Sequence, residues 1–350
     1  MFPRNKERGL LVPPRRLSRS LLAVSEELQG PLALARQRVA GARRRPARGR
    51  VLVALGSDDS RPGFRSGFVA VIGRTGVGKS TLVNALVGAK VSITSSRPNT
   101  TRLPIQGVLT RRSFQVVFVD TPGFHKPRNI FGERQNASAT SSLEAVDLVL
   151  VVVDASKAIG PGDRFAAASA PRSSYVVVNK IDRITRRQLL PRLAAAGALR
   201  FEGGTGDAGF AECFPISSIT GKGIDELIQA IGARLPEGPK YYPDGVLSDS
   251  SEIFWTAELV REQVLSHVGD ELPHSVACRV VEWEWPLIRC EILVERSSQK
   301  PIVIGAGGRN LKAVGVAVRK QLPPGAYLEL VVKVEKNWQR REDSLLRLGY

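Results

Sequence analysis

The segment Gly73–Ser80, with the sequence GRTGVGKS, follows an apolar run and precedes the predicted helix Ser80–Val87. Its glycines allow the backbone to turn tightly and to direct N–H groups at phosphate oxygens, and the positive end of the helix dipole adds to this attraction. Lys79 would bind the β and γ phosphates, and the Ser80 hydroxyl would ligate Mg²⁺. The predicted phosphate-binding residues are Gly73, Arg74, Thr75, Gly76, Val77, Gly78, Lys79, Ser80 and Thr81.

A second polar motif, Asn179-Lys180-Ile181-Asp182, follows the apolar run Tyr175–Val178. The carboxylate of Asp182 can accept hydrogen bonds from both N1–H and the exocyclic amine of guanine, a pair that adenine does not offer. Asn179 can bond N7 of the base or the neighbouring loops, and Lys180 can lie over the ring. Together with the first motif, this motif predicts that the chain binds GTP and GDP.

A third motif, Asp120-Thr121-Pro122-Gly123-Phe124, follows the apolar run Phe114–Val119 and is predicted to belong to the same nucleotide site. Asp120 fits the carboxylate that supports Mg²⁺, and the backbone N–H of Gly123 fits a sensor of the γ-phosphate. Phe124 stands where Ras-like enzymes have a glutamine that orients the attacking water, and an apolar side chain cannot do this. The motif therefore predicts slow intrinsic GTP hydrolysis that a partner accelerates.

Hydroxyl groups in two loops complete the predicted site. Thr101, in the polar loop 98–102, is favoured over Thr100 to complete the Mg²⁺ coordination, and Ser217 and Ser218 could touch the edge of the base. Serine and threonine are ordinary turn residues, so a plain turn role stays open for each of them. The predicted metal ligands are Ser80, Thr101 and Asp120, and the predicted catalytic residues are Lys79, Thr101 and Gly123.

The spacing of apolar runs predicts the element that positions these motifs. The predicted strands are Phe68–Ile72, Phe114–Val119, Asp147–Val153, Tyr175–Val178 and Cys213–Ile216. Helical patterns separate them, which is typical of a mostly parallel sheet with helices on both faces. The motifs follow the carboxyl ends of these strands, the edge at which open α/β sheets bind ligands. We therefore predict an α/β, P-loop GTPase domain over residues 66–236.

The net charge of +18 is concentrated at the two ends of the chain. Residues 1–50 contain 13 Lys and Arg against 3 Asp and Glu, and residues 296–350 contain 11 against 4. Such segments contact polyanions through counterion release, or they are only solvated charge runs. Residues 1–65 are interpreted as a basic, disordered extension with one candidate helix, Leu21–Val39. A transit segment, a disordered arm and sequence upstream of the cellular start codon remain open.

Two classes of protein receive no support from the composition. No apolar run approaches the roughly twenty residues of a membrane span. Three cysteines, Cys213, Cys278 and Cys290, and three histidines lack the spacing of metal ligands. We therefore predict no membrane-spanning helix and no metal cluster, and we interpret the cysteines as reduced core thiols.

A second domain is predicted after residues 237–252, a linker rich in Pro, Gly, Asp and Ser. Its predicted elements are the helix Ile253–Val268, a strand with Val281, Trp283 and Trp285 on one face, the strand Leu287–Glu295, the helix Asn310–Gln321 and the alternating strand Tyr327–Val334. The order α-β-β-α-β, with a GxxG segment before the second helix, is typical of KH RNA-binding domains. We assign an α+β KH domain to residues 253–340 and a tail to residues 341–350.

The GxxG loop of a KH domain contacts the backbone of single-stranded RNA, and basic residues around it neutralise phosphates. The predicted RNA-binding residues are Lys300, Gly305, Ala306, Gly307, Gly308, Arg309 and Lys312. A glycine helix cap without an RNA role is the alternative interpretation of the same segment.

Taken together, the motifs resemble those of the Era GTPases. The matching segments are Gly73–Ser80, Ile93–Arg102, Asp120–Pro127, Phe131–Glu133, Asn179–Asp182, Asp270–Ser275 and Val294–Lys300, and the similarity covers residues 65–350. The resemblance implies a GTP-hydrolysing assembly factor of the small ribosomal subunit, which binds the RNA of that subunit near its 3′ end through a type-2 KH domain. It also implies peripheral association with the inner membrane. Segments such as Ile159–Phe165 look most like bacterial members of the high-GC Gram-positive type, which favours the bacterial cytoplasm over an organelle matrix or stroma. We also expect a monomer.

The chain departs from the family pattern in both predicted sites. Gly76 replaces an asparagine that can hold an activating monovalent cation, so potassium stimulation does not follow from the resemblance. Ala306 and Gly307 replace the usual lysine or arginine of the GxxG loop, and Pro301 replaces a glycine. RNA affinity is then lower, or it is carried by the helix that follows the loop.

Two other functions stay open at this stage. One is an RNA-binding protein whose nucleotide site is only structural. The other is a GTPase that acts on RNA modification or on another ribosomal step.

Overall fold

A computed structural model of the chain describes residues 62–95, 100–122, 131–133, 146–171, 173–200, 210–268, 275–348 and 350. The chain divides into two units, residues 1–50 and 51–350, and all described residues belong to the second. Most of the predicted extension, including the candidate helix Leu21–Val39, lies outside the described residues. Gly123 and Phe124 of the predicted nucleotide site also lie outside them.

A six-stranded sheet forms the first part of the described chain, and its strand order is β2-β3-β1-β4-β5-β6. The elements are β1 (Arg65–Ile72), α1 (Lys79–Val87), β2 (Ile105–Thr110), β3 (Phe114–Asp120), β4 (Leu148–Asp154), α2 (Pro161–Ala168), β5 (Tyr175–Asn179), α3 (Arg186–Gly197), β6 (Glu212–Pro215) and α4 (Ile224–Arg234). All pairs are parallel except β2 with β3. The five predicted strands are confirmed, and the antiparallel strand β2 was not predicted from the sequence.

The strands are buried on both faces because their alternate residues enter two different cores. In β1, Val69 and Val71 pack with α1 and α4, whereas Ala70 and Ile72 pack with α2 and α3. The strand β4 divides in the same way between the two cores. A strand that is buried on both faces has a nearly continuous apolar sequence, which is why these runs could be recognised.

The segment that follows α4 lies along the edge of this sheet. Gly238 N–H donates to Phe64 O at 3.0 Å, and Val108 N–H donates to Leu247 O at 2.8 Å. The hydroxyl of Tyr242 donates to Gln106 Oε1 at 2.8 Å. The predicted linker, residues 237–252, is therefore packed against β1 and β2, while the predicted domain boundaries stay predictions.

A three-stranded sheet with the order β7-β8-β9 forms the second part, with β7 antiparallel and β9 parallel to β8. The elements are α5 (Glu252–His267), β7 (Ala277–Glu284), β8 (Leu287–Val294), α6 (Lys300–Ile304), α7 (Arg309–Arg319), β9 (Tyr327–Val334) and α8 (Glu342–Arg347). The helices α5 and α7 cover one face of the sheet and share an apolar core with it. The predicted order is confirmed, with two additions, the short helix α6 before the GxxG loop and the helix α8 after β9.

One prediction for β7 is wrong. The sequence pattern put Val281, Trp283 and Trp285 on one face, but the pairing with β8 is irregular between Val280 and Glu282 and the strand ends at Glu284. Trp283 packs against the core, whereas Val281 and Trp285 are 45% and 53% exposed. A β-bulge inserts one residue and breaks the alternation on which the prediction depended.

The other face of this sheet carries a buried carboxylate. Glu291 Oε2 lies 2.8 Å from Arg279 Nη2, and Lys333 forms a second ion pair with Glu291. Burial alone would raise the pKa of Glu291, but the hydrogen bonds from Lys333 and Arg279 lower it below its ordinary value of 4.5. The charged form of Glu291 therefore stabilises the folded sheet.

The cysteines differ in their surroundings. Cys278 and Cys290 are buried free thiols, and burial raises the pKa of both, so these two are core thiols as predicted. Cys213 is exposed in β6, so the prediction of a core thiol is wrong there. In the described part of the chain no helix is long and apolar enough to cross a membrane.

Candidate functional site

The loop between β1 and α1 lies at the carboxyl edge of the first sheet. Gly73, Gly76 and Gly78 have φ values of 150°, 79° and 98°, a region that residues with a Cβ rarely adopt. A Cβ on Gly78 would lie 2.6 Å from Asn179 Nδ2. The positive φ values favour glycine at all three positions, and packing also excludes a Cβ at Gly73 and Gly78. The loop leads directly into the N-terminus of α1, as a phosphate site requires.

Lys79 is almost fully buried beneath this loop. Its Nζ donates to Gly73 O at 3.1 Å and to Arg74 O at 3.3 Å. Burial lowers the pKa of Lys79 to about 8, although the negative charge of Asp120 acts in the opposite direction. The side chain of Arg74 turns away from the loop and pairs with Asp163 at 2.8 Å. Phosphate oxygens would raise the pKa of Lys79 again, because an adjacent negative charge favours the cationic form.

Three predicted residues, Ser80, Thr101 and Asp120, meet beside Lys79. Ser80 Oγ lies 2.7 Å from Thr101 Oγ1, which donates to Asp120 Oδ2 at 3.2 Å. Ser92, which was not predicted, donates to the same oxygen at 2.7 Å. Asp120 is fully buried, and burial raises its pKa. Thr100 instead uses its carbonyl to accept a hydrogen bond from Arg261. The side chain of Thr101 thus lies in this cluster, and Thr100 lines the adjoining cavity, so the choice of Thr101 over Thr100 stays a prediction.

This cluster fits a divalent cation. Asp120 Oδ1 is buried and has no hydrogen-bond partner among the described residues. Neighbouring ligands of an octahedral Mg²⁺, each about 2.0–2.1 Å from the metal, are about 2.9 Å apart, close to the observed separation of the Ser80 and Thr101 hydroxyl oxygens. Hard oxygen donors of this kind are the ligands that Mg²⁺ prefers. Thr75 and Thr81 line the adjoining cavity together with Thr94 and Ser95.

Asn179 joins the P-loop to the base-recognition motif. Its Nδ2 donates to Val77 O at 3.0 Å, and its Oδ1 accepts from Lys180 N–H at 2.8 Å. The same oxygen accepts from the N–H and the hydroxyl of Ser218, at 3.1 and 3.0 Å. Of the two roles predicted for Asn179, the structure shows the one that bonds the neighbouring loops. Ile181 adds a further link, since its N–H donates to Ile216 O at 3.2 Å.

Lys180 and Asp182 form two sides of the space where a base would lie. Lys180 Nζ crosses to Gly76 O at 2.6 Å and to Asp154 Oδ2 at 2.7 Å. Asp182 Oδ1 accepts from Ser217 Oγ at 2.6 Å, which fixes the orientation of the carboxylate. Burial would raise the pKa of Asp154, but hydrogen bonds from Lys180 and Ser156 lower it overall. Neither Asp154 nor Ser156 was predicted, because neither belongs to a recognisable motif.

The remaining described residues of the third motif have structural contacts. Thr121 is fully buried, and its hydroxyl donates to Val71 O at 2.8 Å, which joins the ends of β3 and β1. Pro122 is buried beside it. Gly123 and Phe124 lie outside the described residues, so their predicted roles have no structural account.

The GxxG loop connects α6 to α7 and exposes its backbone. Gly305, Gly307 and Gly308 have φ values of 74°, 59° and 78°. A Cβ on Gly305 would lie 2.7 Å from Asn310 Cγ, whereas a Cβ on Gly307 or Gly308 would have no neighbour within 4 Å. The last two glycines are therefore open to a ligand, and the first is required by packing.

Exposed basic residues lie on both sides of this loop. One open groove is lined by Ser297, Lys300, Pro301, Ile304, Gly305 and Ala306. The other is lined by Arg309, Lys312, Ala313, Val316, Ala317, Lys320 and Gln321. The structure thus brings the predicted RNA-binding residues to one end of the α6–α7 pair, with cationic side chains next to apolar surface. This is the combination that single-stranded nucleic acid requires.

Two sequence profiles of known families match this chain. The profile described as a 50S ribosome-binding GTPase matches residues 68–180, which contain the P-loop and the first two residues of the base-recognition motif. The profile described as a KH domain matches residues 271–339, which contain the GxxG loop.

Curated relatives match both parts together. GTPase Era of Mycolicibacterium paratuberculosis is 45% identical over 303 residues, which cover 82% of this chain and 99% of the relative. GTPase Era of Mycobacterium tuberculosis is 44% identical over 305 residues, with the same coverage of both chains. This chain belongs to the Era GTPase family.

Solved structures of Era GTPases have the same fold. The crystal structure of Era in complex with MgGDPNP and nucleotides 1506–1542 of 16S ribosomal RNA gives a TM-score of 0.76 at 34% identity. A variant of Aquifex aeolicus Era bound to GDP·AlF4⁻ gives 0.75, also at 34% identity. Each covers 82% of this chain and 99% of the solved chain. The predicted family and fold are thereby confirmed.

One departure from the Era GTPase pattern has no packing explanation. Gly76 has a φ of 79°, and a Cβ there would have no neighbour within 4 Å. The space for the larger family residue is therefore present. The positive φ of Gly76 favours glycine, and packing does not require it.

Proposed function

We propose that this chain is a GTP-hydrolysing assembly factor of the small ribosomal subunit and that its KH domain binds the RNA of that subunit near the 3′ end. The observation that carries the proposal is the convergence of the P-loop, the metal-ligand cluster and the base-recognition motif on one sheet edge, in a chain that also has an open GxxG loop. A relative that was crystallised with MgGDPNP and 16S ribosomal RNA supports it.

Each predicted nucleotide-site residue has a role in this proposal. The backbone from Gly73 to Thr81 binds the phosphates, Lys79 neutralises them, and Asp182 selects guanine. Ser80 and Thr101 hold Mg²⁺ directly, and Asp120 supports it. The bound metal supplies a positive charge that neutralises the β- and γ-phosphate oxygens.

Phe124, which follows the predicted γ-phosphate sensor Gly123, provides no group that could orient the attacking water. We therefore infer slow hydrolysis by the protein alone and acceleration by RNA or ribosomal partners. In this scheme, contacts of the loops 97–102 and 120–135 with the γ-phosphate and Mg²⁺ would change how the KH domain engages RNA.

RNA binding is proposed for Lys300, the loop Gly305–Gly308, Arg309 and Lys312. The open backbone of Gly307 and Gly308 permits close approach of the sugar-phosphate chain, and the three cations neutralise phosphates. Because the loop itself has no cation, the charge at the start of α7 replaces the one that other family members have inside the loop.

Single-turnover GTP hydrolysis tests the enzymatic part of the proposal. We expect slow phosphate release, faster release when small-subunit RNA containing its 3′ end is added, and none above background for Lys79→Ala. Rapid hydrolysis that RNA leaves unchanged would contradict the partner-dependent scheme. Phosphate release that does not require Lys79 would favour an RNA-binding protein with a structural nucleotide site.

Crosslinking in cells tests the RNA target. We expect crosslinks near the 3′ end of the small-subunit RNA, and fewer of them for a variant in which Arg309 and Lys312 are both replaced by alanine. Crosslinks to another RNA class would favour a GTPase that acts at a different step.

The same proposal includes a monomer in the bacterial cytoplasm with peripheral contact to the inner face of the membrane. Mycobacterial relatives and the basic ends of the chain support it. Sedimentation of the full chain with anionic vesicles, compared with neutral vesicles, tests the membrane contact. Equal sedimentation with both would contradict a charge-dependent association.

A further inference from the structure

The loop that carries Thr101 is held from the second part of the chain. Thr94 N–H donates to Glu262 Oε1 at 2.9 Å, and Thr100 O accepts from Arg261 Nη2 at 2.5 Å. Both partners belong to α5. The loop therefore approaches the nucleotide site on one side and contacts the KH domain on the other.

A third contact follows Thr101 directly. The guanidinium carbon of Arg102 lies 5.4 Å from the ring centre of Phe131, 5.3 Å from that of Trp338 and 5.6 Å from that of Tyr350. Arg102 Nη1 donates to the hydroxyl of Tyr350 at 3.2 Å, and Arg102 is only 4% exposed. We call Phe131, Trp338 and Tyr350 the aromatic cage.

The aromatic cage is part of a packed cluster and not of a loose surface. Trp338 is fully buried, and its Nε1 donates to Ser275 O at 3.0 Å. Phe131 and Trp338 pack with Ala277 and Leu293 of the second sheet and with Leu345 of α8. Because these neighbours fix the rings, the rings in turn fix the guanidinium.

Thr101 and Arg102 share one planar peptide group, so a displacement of Arg102 moves Thr101. Within the described part of the chain, the side chain of Thr101 is hydrogen-bonded to the hydroxyl of Ser80 and the carboxylate of Asp120. Small errors in the position of a reacting or metal-binding group carry large penalties in rate.

We propose that Arg102 and the aromatic cage are positioning residues that hold Thr101 in place for Mg²⁺ and the γ-phosphate, so that the KH domain and the tail that follows it complete the metal site of the GTPase domain. This inference rests on the proposed function. Binding of GDP does not require it, because the P-loop and the base-recognition motif have no contact with the aromatic cage among the described residues.

The test compares Tyr350→Leu, which removes one ring, with Tyr350→Phe, which keeps the ring and removes the hydroxyl. Leu346→Ala is the matched control, because Leu346 lies in α8 and is 47% exposed. Single-turnover GTP hydrolysis is measured across a Mg²⁺ titration, and the affinity for fluorescent GDP without Mg²⁺ is measured in parallel.

We expect Tyr350→Leu to raise the half-saturating Mg²⁺ concentration by about tenfold, the loss expected for one desolvated cation–π contact. Tyr350→Phe keeps the ring and should raise it by less, about fivefold, the loss of one hydrogen bond. Leu346→Ala should leave it unchanged, and GDP affinity should be the same in all variants. An unchanged Mg²⁺ requirement in Tyr350→Leu, with normal GDP binding, would overturn the inference.

A second variant keeps the inference testable if Tyr350→Leu is too unstable to assay. Arg102→Lys retains the charge but not the planar contact with three rings. It should raise the Mg²⁺ requirement while GDP affinity stays normal, and an unchanged requirement would again refute the inference. Failure of the wild-type chain to bind GDP at all would instead refute the proposed function.

Discussion

Replacement of Asn179 by alanine tests how the nucleotide site is held together. The side chain is 2% exposed and connects the P-loop, through Val77, with the two loops that surround the base, through Lys180 and Ser218. Alanine removes the side-chain groups and leaves their backbone partners buried. We expect the main effect to be on nucleotide affinity, because the loops converge only around the ligand.

The magnitude follows from the hydrogen bonds. Asn179 makes one bond through Nδ2 and accepts three through Oδ1. At about 1 kcal/mol for a typical buried hydrogen bond, their loss would cost roughly 3–4 kcal/mol. A change of about 1.4 kcal/mol corresponds to a factor of ten, so GDP affinity should fall by about two to three orders of magnitude.

Fluorescence titration with labelled GDP measures this effect, and Ser218→Ala is the matched control. That variant removes only the hydroxyl bond, so its loss should be no more than about tenfold. Asn179→Ala should weaken binding of labelled xanthosine diphosphate by the same factor as binding of GDP. The reason is that Asn179 supports the loops and does not select the base. An affinity within threefold of the wild type would refute the structural role that we assign to Asn179.

Three further changes test other parts of the molecule. Asp182→Asn should shift preference from guanosine to xanthosine nucleotides, because an amide can donate to the oxygen that replaces the exocyclic amine; unchanged GDP affinity in the same titration would contradict the base assignment. Gly78→Ala should weaken GDP binding by at least about tenfold, because its φ is +98° and its Cβ would lie 2.6 Å from Asn179 Nδ2. Gly245→Ala has a similar backbone strain with φ +86° and no close neighbour, so it should bind GDP normally. Glu291→Gln should lower the free energy of unfolding at pH 7, and the difference from the wild type should shrink as the pH falls below 4.5, because the lowered pKa of Glu291 makes its charge stabilising only above that range. Urea unfolding at several pH values would show a constant difference if this reasoning were wrong.

The sequence predicts the strands that are buried on both faces. The strands β1, β3, β4 and β5 lie between two helical layers, so their apolar runs are unambiguous. The strand β2 was not predicted because Gly107 interrupts its apolar sequence. A Cβ at Gly107 would lie 2.8 Å from Val87 Cγ2. That glycine is required by helix packing, and this requirement is visible only in three dimensions. The helix α6 has five residues, too few to establish a helical period.

The residues of the candidate site also fall into those that the sequence predicts and those that it does not. Motif residues such as Lys79 and Asp182 are recognisable because their chemistry needs fixed spacing along the chain. Ser92 and Asp154 reach the site from other elements and have no such spacing. The contact between Arg102 and Tyr350 joins residues 248 positions apart. Such contacts depend on the fold as a whole, and no local sequence pattern predicts them.

Residues 237–252, which connect the first sheet to the second, affect whether the GTPase domain would aggregate when it is isolated. β2 is the outermost strand, and residues 247 and 248 pair with its free side through Val108 and Gly107. Uncovered strand edges act as templates for pairing between molecules. A fragment that ended at residue 236 would display such an edge and aggregate, whereas one that ended at residue 250 would keep it covered. The segment that its composition predicts to be a linker thus protects the GTPase domain against self-association.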